Sequence, residues 1–315
     1  MGEFELIENL FRPLAKRLRH PDLILGPGDD CAIQSLSPGH QLVFSVDTLV
    51  EGVHFPLHYD PRSLGWRALA VAVSDLAAMG ADPVCFTLAL TLPDARESWL
   101  RPFTEGLADA AVAFGIALAG GDTTRGPLTL SVQVHGTVPA GLALVRSGAR
   151  VGDLICVTGE LGGAAAALAL LDKPPTTPVS RALLTRYHHP QPRLSAGQWL
   201  RGKASACIDV SDGLLADLGH ILKASGVGGR VEVASLPVMA GADLQQALAG
   251  GDDYELCFTL PPEHRDALSR YVGVGFTVIG EVAAGRELRL IQPGGQAQTV
   301  GAHRGYDHFG TADDH

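Results

Sequence analysis

Several features that mark common classes of protein are rare or absent in this chain of 315 residues. Its five cysteines are widely spaced and include no C-x-x-C pair, so we expect small core residues in a reducing compartment rather than a zinc site or disulfides. No apolar run is long enough to span a membrane. The N-terminus lacks the basic start and apolar run of a signal peptide. We therefore expect a cytoplasmic protein without membrane partners.

Clusters of lysine and arginine are missing as well. The formal net charge is −10, and without a basic patch we expect no binding to nucleic acid. The chain also has no P-loop, no G-x-G-x-x-G turn near its start and no landmarks of protein kinases. If the ligands are phosphates, divalent cations must lie between them and the many carboxylates.

The length and the pattern of the chain indicate two domains. A chain with 315 residues, 46% of them hydrophobic, is expected to form more than one core. Alternating strands and helices predict one layered α/β domain over residues 1–140 and a second over residues 150–315. The predicted helices include residues 3–19, 62–79, 96–114, 164–171 and 214–225. The predicted strands include residues 41–47, 84–92, 128–138, 154–158, 206–212 and 255–260.

Acidic residues recur where a predicted strand ends or a glycine turn begins. They are Asp29, Asp30, Asp47, Asp122, Asp209, Asp212, Asp252 and Asp253, and Asp75 joins them from a predicted helix. Singly, each is more often a turn or capping residue. Together, in an acidic chain, they favour a crevice of carboxylates of the kind that binds Mg²⁺ and phosphate. Catalysis there needs no base, because a phosphate acceptor is already ionised near neutral pH.

Seven motifs, in order along nearly the whole chain, resemble the thiamine-monophosphate kinase family. They begin at Gly28 (GDDCA), Ser45 (SVDTLVEGVHF), Ser74 (SDLAAMGA), Gly120 (GGDT), Arg146 (RSGA), Asp209 (DVSDGL) and Gly251 (GDDYEL). The segment EGVHF is specific to this family, whereas the G-D-D, S-D and G-G-D elements are shared with the aminoimidazole ribonucleotide synthetase-like ATP enzymes. The family usually has Glu where this chain has Asp252, a change that keeps the charge.

The resemblance implies a two-domain aminoimidazole ribonucleotide synthetase-like fold, with mixed sheets and flanking helices. It implies that residues 1–140 bind ATP and Mg²⁺ and join two copies into a homodimer, and that residues 150–315 contribute metal and substrate residues. The activity it implies is direct transfer of the γ-phosphoryl group of ATP to thiamine monophosphate, assisted by several Mg²⁺ ions. The products would be thiamine diphosphate and ADP.

The resemblance also implies roles for individual residues. The positions implied for magnesium are Asp30, Ser45, Asp47, Asp75, Asp122, Asp209 and Asp212. Those implied for the nucleotide are the backbone of Val46, with Gly121, Asp122, Arg146 and Ser211. Those implied for the substrate are His54, Glu255 and Tyr306, and those expected to act in catalysis are Asp122, Arg146 and Asp212. We expect Asp29 and Asp253 to be structural.

Alternatives to this function stay open at the level of sequence. Another ATP-using enzyme of the same superfamily would share most of the motifs, although the segment around His54 argues against it. A non-catalytic nucleotide-binding relative would keep the fold and lose some of the site carboxylates, all of which are present here. For single residues, the plain alternatives are a solvated surface position for Arg146 and a core position for His54.

Overall fold

The computed structural model describes residues 3–301, and within them the chain divides into two units. Unit 1 comprises the residues up to Leu76 and Ala81–Gly141, whereas unit 2 comprises Ala77–Gly80 and the chain from Leu142 onward. Both units combine a mixed sheet with flanking helices, which confirms the predicted fold class. No helix in the described part is both long and apolar enough to cross a membrane.

Unit 1 is built on a four-stranded mixed sheet. Its first elements are α1 (Glu3–Leu6), a π-helical turn (Ile7–Phe11), α2 (Arg12–Arg17), and the paired short strands β1 (Leu23–Leu25) and β2 (Ile33–Gln34). The main elements are β3 (His40–Val50), α3 (Pro61–Ala78), β4 (Asp82–Leu92), α4 (Glu97–Phe114), β5 (Ala117–Arg125) and β6 (Thr129–Pro139). The strand order is β3-β6-β4-β5; β4 and β5 run parallel, and the other pairs run antiparallel.

One face of this sheet is buried under helices. Along β6 the alternate residues Leu130, Val132 and Val134 are buried, as the two-residue period of a strand requires. Helices α3 and α4 lie in backbone contact, because a Cβ on Gly65 or on Gly106 would overlap main-chain atoms of the other helix. The sheet and the two helices thus form the core of unit 1.

The opposite face of the sheet is open along β3. Leu42, Phe44 and Val46 alternate along this strand and are 43%, 63% and 60% exposed. Among the described residues, β3 and β5 form the two edges of the sheet. A large apolar face between unpaired sheet edges is characteristic of an interaction surface.

Unit 2 is built on a seven-stranded sheet. Its elements are β7 (Leu154–Thr158), α5 (Gly163–Ala167), α6 (Pro178–His188), α7 (Leu194–Leu200), β8 (Ala206–Asp209), α8 (Leu214–Ser225), β9 (Gly228–Glu232), α9 (Leu244–Ala249), β10 (Leu256–Leu260), α10 (Arg265–Leu268), β11 (Phe276–Ala283), β12 (Leu288–Ile291) and β13 (Ala297–Thr299). The strand order is β13-β12-β9-β11-β7-β10-β8. β12 and β9 run parallel, and the other neighbours run antiparallel.

Both faces of the unit 2 sheet are buried. Ile155 of β7 and Ile208 of β8 pack on one side with residues of α8 and α9, whereas Cys156 and Phe258 pack on the other side with residues of α7. This arrangement explains why the central strands are apolar throughout and show no alternation with polar residues. Strand β8 ends within this core at Asp209, the first residue of the motif that is predicted to bind metal.

Two predicted strand ends are wrong. Strand β3 continues past Asp47 to Val50, and β5 continues through the glycine pair to Arg125, so Asp47 and Asp122 lie inside strands. The physical reason for β3 is a β-forming run after Asp47, TLV. In β5 the glycine is compatible with the strand because a Cβ at Gly121 would lie 2.0 Å from the carbonyl oxygen of Leu88 on β4, a contact that only glycine permits.

Candidate active site

In unit 1, three oxygen-bearing side chains lie on the helix-covered side of the sheet. Ser45 and Asp47 are two residues apart on β3 and therefore share a face of the sheet. The hydroxyl of Ser45 donates a hydrogen bond to Oδ2 of Asp75 on α3. All three side chains are half-buried. The structure thus joins Ser45 to Asp75 and places Asp47 on the same face of β3 as Ser45. That these three residues bind a metal stays a prediction.

The turn between β1 and β2 carries the aspartate pair Asp29 and Asp30. The backbone N–H of Asp30 donates to Oδ1 of Asp29 at 2.9 Å, and both side chains are exposed. Asp29 therefore stabilises the turn, as expected for a structural residue. This contact engages the backbone of Asp30 and not its carboxylate, so Asp30 fits a ligand better than Asp29 does.

The remaining unit 1 candidates lie on β5 and in the turn after β3. Asp122 is exposed on the edge strand β5, at the opposite edge of the sheet from β3. His54 is half-buried, and its Nδ1 accepts the backbone N–H of Val50 at 3.0 Å. That bond places the proton of the neutral imidazole on Nε2. Val46 is exposed on β3 and therefore accessible to a ligand.

In unit 2, the predicted metal residues form a tight turn at the end of β8. Asp209 is the last residue of this strand and is buried, and Ser211 and Asp212 follow it before α8 begins. Oδ2 of Asp217, on the first turn of α8, accepts the backbone N–H groups of both Ser211 and Asp212 at 3.0 Å. Burial, and after it the negative charges of Asp209 and Asp212, raises the pKa of Asp217 to about 8.

A strained loop lies against this turn. Asp252 and Tyr254, between α9 and β10, have positive φ angles of 68° and 50°, a conformation that is unfavourable for residues other than glycine. The N–H of Asp252 donates to the carbonyl of Ser211, and the N–H of Tyr254 donates to that of Val210, both at 2.9 Å. The loop and the metal turn are therefore held together by their backbones, and the strain marks this loop as a functional candidate.

Glu255, predicted to bind the substrate, is fully buried in a network of its own. Thr158 donates from Oγ1 to Oε2 of Glu255 at 2.5 Å. Arg193 approaches the carboxylate side-on, with Nε and Nη2 each donating to one oxygen, and Arg186 also donates to Oε1. Glu255 has no exposed surface, and the two arginine side chains are each 18% exposed. Both oxygens of Glu255 are thus occupied by neighbouring residues.

Asp253 is a second buried carboxylate of the strained loop. Its Oδ2 accepts the N–H of Gly162, which precedes α5, at 2.7 Å. Burial is the largest influence on its pKa and raises it to about 7, although the hydrogen bond from Gly162 lowers it. Its role in joining the loop to α5 fits the structural function that we expect for it.

Arg146 lies on a surface loop that is anchored to the end of α8. Oγ of Ser225 accepts the N–H groups of Gly148 and Ala149 at 3.2 and 3.1 Å and donates to the carbonyl of Arg146 at 3.3 Å. Arg146 itself is exposed. The anchor fixes the loop backbone and leaves the guanidinium at the surface. The anchoring role of Ser225 could not be recognised in the sequence, because no motif marks this residue.

Tyr306, which was predicted to bind the substrate, lies outside the described residues.

The chemistry of these residues fits Mg²⁺. Their side chains offer carboxylate and hydroxyl oxygens, which Mg²⁺ prefers, and this ion completes its shell with water and phosphate oxygens. Within residues 3–301, no three or more His, Cys, Asp or Glu side chains lie close enough together to hold a metal by themselves. That these side chains bind Mg²⁺ stays a prediction.

Both units match known domains. The chain matches the family model of the AIR synthase related protein, its N-terminal domain over residues 28–138 and its C-terminal domain over residues 150–292. Fold and site together therefore define an AIR synthase related protein. The thiamine-monophosphate kinase of Escherichia coli strain K12 is 47% identical over 325 residues, covering 98% of this chain and 99% of that one. The chain belongs to the thiamine-monophosphate kinase family, which confirms the resemblance seen in its motifs.

Solved structures agree with this assignment. The crystal structure of thiamine-monophosphate kinase from Stenotrophomonas maltophilia K279a has a TM-score of 0.84 and 44% identity, covering 92% of this chain and 96% of that one. "AaThiL complexed with AMPPCP and TMP" has a TM-score of 0.76 and 30% identity, covering 95% and 96%. The hydrogenase maturation protein HypE in complex with ATP, at 19% identity and a TM-score of 0.76, shares the fold.

Proposed function

We propose that this chain transfers the γ-phosphoryl group of ATP directly to thiamine monophosphate, giving thiamine diphosphate and ADP. The observation that carries the proposal is full-length similarity to thiamine-monophosphate kinases, with 47% identity to the one from Escherichia coli. The related AaThiL complex with AMPPCP and TMP supports ATP and thiamine monophosphate as the two ligands. We place the reaction in the cytoplasm, where ATP is available.

The residues of both units have distinct tasks in this proposal. Mg²⁺ ions held by Asp30, Ser45, Asp47, Asp75, Asp122, Asp209 and Asp212 would neutralise the charge of the transferred phosphoryl group. The backbone of Val46, with Gly121 and Ser211, contacts the nucleotide. Arg146 supplies the remaining positive charge, because its loop is fixed by Ser225 while its guanidinium stays accessible.

For the substrate, we propose that Glu255 acts through its arginines. Its carboxylate is fully buried and occupied by Thr158, Arg186 and Arg193, so it holds the base of the strained loop in place. We propose that the half-buried Asp252 of the same loop, whose Oδ1 also accepts the hydroxyl of Tyr254 at 2.8 Å, hydrogen-bonds the aminopyrimidine. His54 contacts the substrate through Nε2–H, and Tyr306 stacks on its rings.

The reaction itself is the first test. Purified protein is incubated with Mg²⁺, ATP and thiamine monophosphate, and the products are separated by chromatography. We expect equal amounts of ADP and thiamine diphosphate, and no turnover when EDTA removes the metal. ADP without thiamine diphosphate would instead point to another ATP-using enzyme of the superfamily. The absence of both products would favour a non-catalytic relative.

We further propose that the protein is a homodimer joined through unit 1. The apolar face with Leu42, Phe44 and Val46 supports this proposal. The positions of two predicted metal ligands support it as well. Asp47 lies on the edge strand β3 and Asp122 on the opposite edge strand β5, three strand spacings or about 14 Å apart within one chain. If β5 of one copy lies beside β3 of the other, Asp122 comes next to Asp47 of the partner subunit. One metal site would then draw on both copies.

Mixed dimers test this arrangement. Asp47→Asn and Asp122→Asn homodimers are each expected to be nearly inactive. In a two-fold symmetric dimer with shared sites, half of the randomly mixed dimers carry one intact site, so about a quarter of wild-type activity should return. If each site lies within one chain, every site in the mixture carries one substitution and no activity returns. Co-purification through two different tags confirms that mixed dimers have formed.

A further inference from the structure

In the turn that follows β8, two backbone N–H groups are directed at one side chain. The consecutive N–H groups of Ser211 and Asp212 converge on a single oxygen, Oδ2 of Asp217, at 3.0 Å each. Asp217 is 2% exposed. Consecutive N–H groups that converge in this way form an anion-binding nest. Here the place of the anion is taken by a side-chain oxygen of the protein itself.

An occupied nest changes what the turn offers to a ligand. In loops that cradle phosphate with their backbone, such N–H groups point at the ligand. In this turn both donors are used internally, so Asp209, Ser211 and Asp212 have their side-chain oxygens to offer. Oxygens of that kind bind phosphate through a cation rather than directly. The geometry therefore favours a metal ion between this turn and any phosphate.

The turn is also fixed from its other side. The carbonyls of Val210 and Ser211 accept N–H groups of the strained loop at 2.9 Å, and the N–H of Val210 donates to the carbonyl of Glu255 at 2.7 Å. These bonds hold the carbonyl side of the turn. The N–H side of the turn is held by Asp217, which accepts the N–H groups of both Ser211 and Asp212. Removing Asp217 would release that side.

We propose that Asp217 is a positioning residue that holds Asp209 and Asp212 in the geometry needed to bind a divalent cation. The inference rests on the proposed metal-dependent function, and it assigns Asp217 no contact with the metal or the substrate. Residues that orient metal ligands in this way typically contribute about 10-fold to 100-fold to metal affinity. Its action requires only that one oxygen accept two hydrogen bonds, and the amide oxygen of asparagine can do the same.

The test measures metal binding directly, with Mn²⁺ as the probe and electron paramagnetic resonance of free Mn²⁺ as the readout. Asp212→Asn is expected to remove one class of Mn²⁺ sites. Asp217→Ala is expected to lower the Mn²⁺ affinity of that same class about 10-fold or more. Asp217→Asn is expected to stay within about threefold of wild type. The Mg²⁺ concentration for half-maximal kinase activity should shift in parallel, whereas the KM for thiamine monophosphate should change little.

A matched control separates positioning from loss of stability. Asp153 is also buried in unit 2, and its Oδ2 accepts the N–H of Arg150 at 2.9 Å and the hydroxyl of Ser205 at 2.6 Å. Asp153→Ala should lower the melting temperature as Asp217→Ala does, yet leave Mn²⁺ binding unchanged. If Asp217→Ala also leaves Mn²⁺ binding unchanged, Asp217 is only a structural cap and the proposal fails.

The asparagine variant keeps the proposal falsifiable if Asp217→Ala does not fold. Positioning predicts that Asp217→Asn binds Mn²⁺ nearly as wild type does, and a loss of 10-fold or more in that variant would show that the negative charge matters instead. Failure of the proposed function is distinguishable, because it appears in the wild-type protein. If the wild-type protein binds Mn²⁺ but makes no thiamine diphosphate, the proposed function is contradicted. The positioning role is then still tested by comparing Mn²⁺ binding in the Asp217 variants.

Discussion

The two units present their acidic side chains in different surroundings. In unit 1, Asp30 and Asp122 are exposed, and Ser45, Asp47 and Asp75 are half-buried beside an open-faced sheet. In unit 2, Asp209, Asp217, Asp253 and Glu255 are buried, with exposed fractions of 5%, 2%, 4% and 0%. Arginines and a threonine hydroxyl occupy both oxygens of Glu255, whereas Oδ2 of Asp217 and Oδ2 of Asp253 accept backbone N–H groups.

Because of this difference, substitutions in the two units should affect different properties of the protein. An exposed carboxylate is well solvated, so replacing it changes folding little while removing a ligand for a cation. A buried carboxylate has lost its water and depends on its protein partners, so replacing it leaves those partners unsatisfied. Substitutions in unit 1 should therefore act mainly on activity, and those in the buried network of unit 2 mainly on stability.

The largest effect is expected for Glu255→Gln in unit 2. The change leaves Arg186 and Arg193 close together around a neutral group, and breaking a buried ion pair in this way typically costs about 3 to 5 kcal/mol of unfolding free energy. Urea denaturation followed by circular dichroism measures the loss. As a control, Glu287→Gln removes the partner of Arg289 in an exposed pair and should cost less than about 1 kcal/mol.

The same variant also decides how Glu255 acts. If its carboxylate contacts the substrate directly, Glu255→Gln will raise the KM for thiamine monophosphate while the unfolding free energy stays near that of wild type. That result would contradict the expectation that substitutions in the buried network of unit 2 act mainly on stability. It would also require the arginine network to open when substrate binds.

A somewhat smaller effect is expected for Asp122→Asn in unit 1. Turnover should fall about 100-fold to 1000-fold, because a charged group that stabilises the transferred phosphoryl group is lost. The unfolding free energy should stay within about 0.5 kcal/mol of wild type, since Asp122 is exposed. Asp94→Asn, an exposed aspartate in the same unit that pairs with Arg96, should leave both quantities unchanged. Near-wild-type turnover would remove Asp122 from the metal site.

The sequence predicts the long elements well, because their apolar spacing alone determines which face is buried. The predicted helix over residues 214–225 is α8, and the predicted strand over residues 154–158 is β7. Helix α6 was not predicted, although Thr177 caps its start and Pro178 occupies its first turn, both of which are recognisable start signals. Its apolar residues Val179, Leu183 and Tyr187 also recur at helical spacing, so the sequence held a signal for this helix.

The contacts around the candidate site could not be predicted in the same way. Glu255 meets Thr158 across 97 residues of sequence and Arg193 across 62. The acidic motif at residues 251–255 marks a site, but it does not indicate which of its carboxylates is buried. That choice is made by the tertiary packing of α5, α6 and β7. Residue types and spacing thus located the site, whereas the division of tasks within it required the structure.

The smallest effect is a pH dependence expected for Asp253. Burial raises its pKa to about 7 in the folded protein, above the 3.8 that is usual for an aspartate. The folded state therefore binds more protons than the unfolded state between about pH 4 and pH 7, and stability falls as the pH rises through this window. One such group contributes at most about 1.4 kcal/mol per pH unit.

Asp253→Asn isolates this contribution, because asparagine can still accept the N–H of Gly162 but does not titrate. All other groups are common to both proteins, so they cancel in the difference between their unfolding free energies. We expect that difference to shift in favour of the variant by about 2.6 kcal/mol between pH 5 and pH 8, measured by urea denaturation at each pH. A constant difference across this range would mean that Asp253 is ionised throughout. The charges of Arg186 and Arg193 would then be balanced by two buried carboxylates, Asp253 and Glu255, instead of by Glu255 alone.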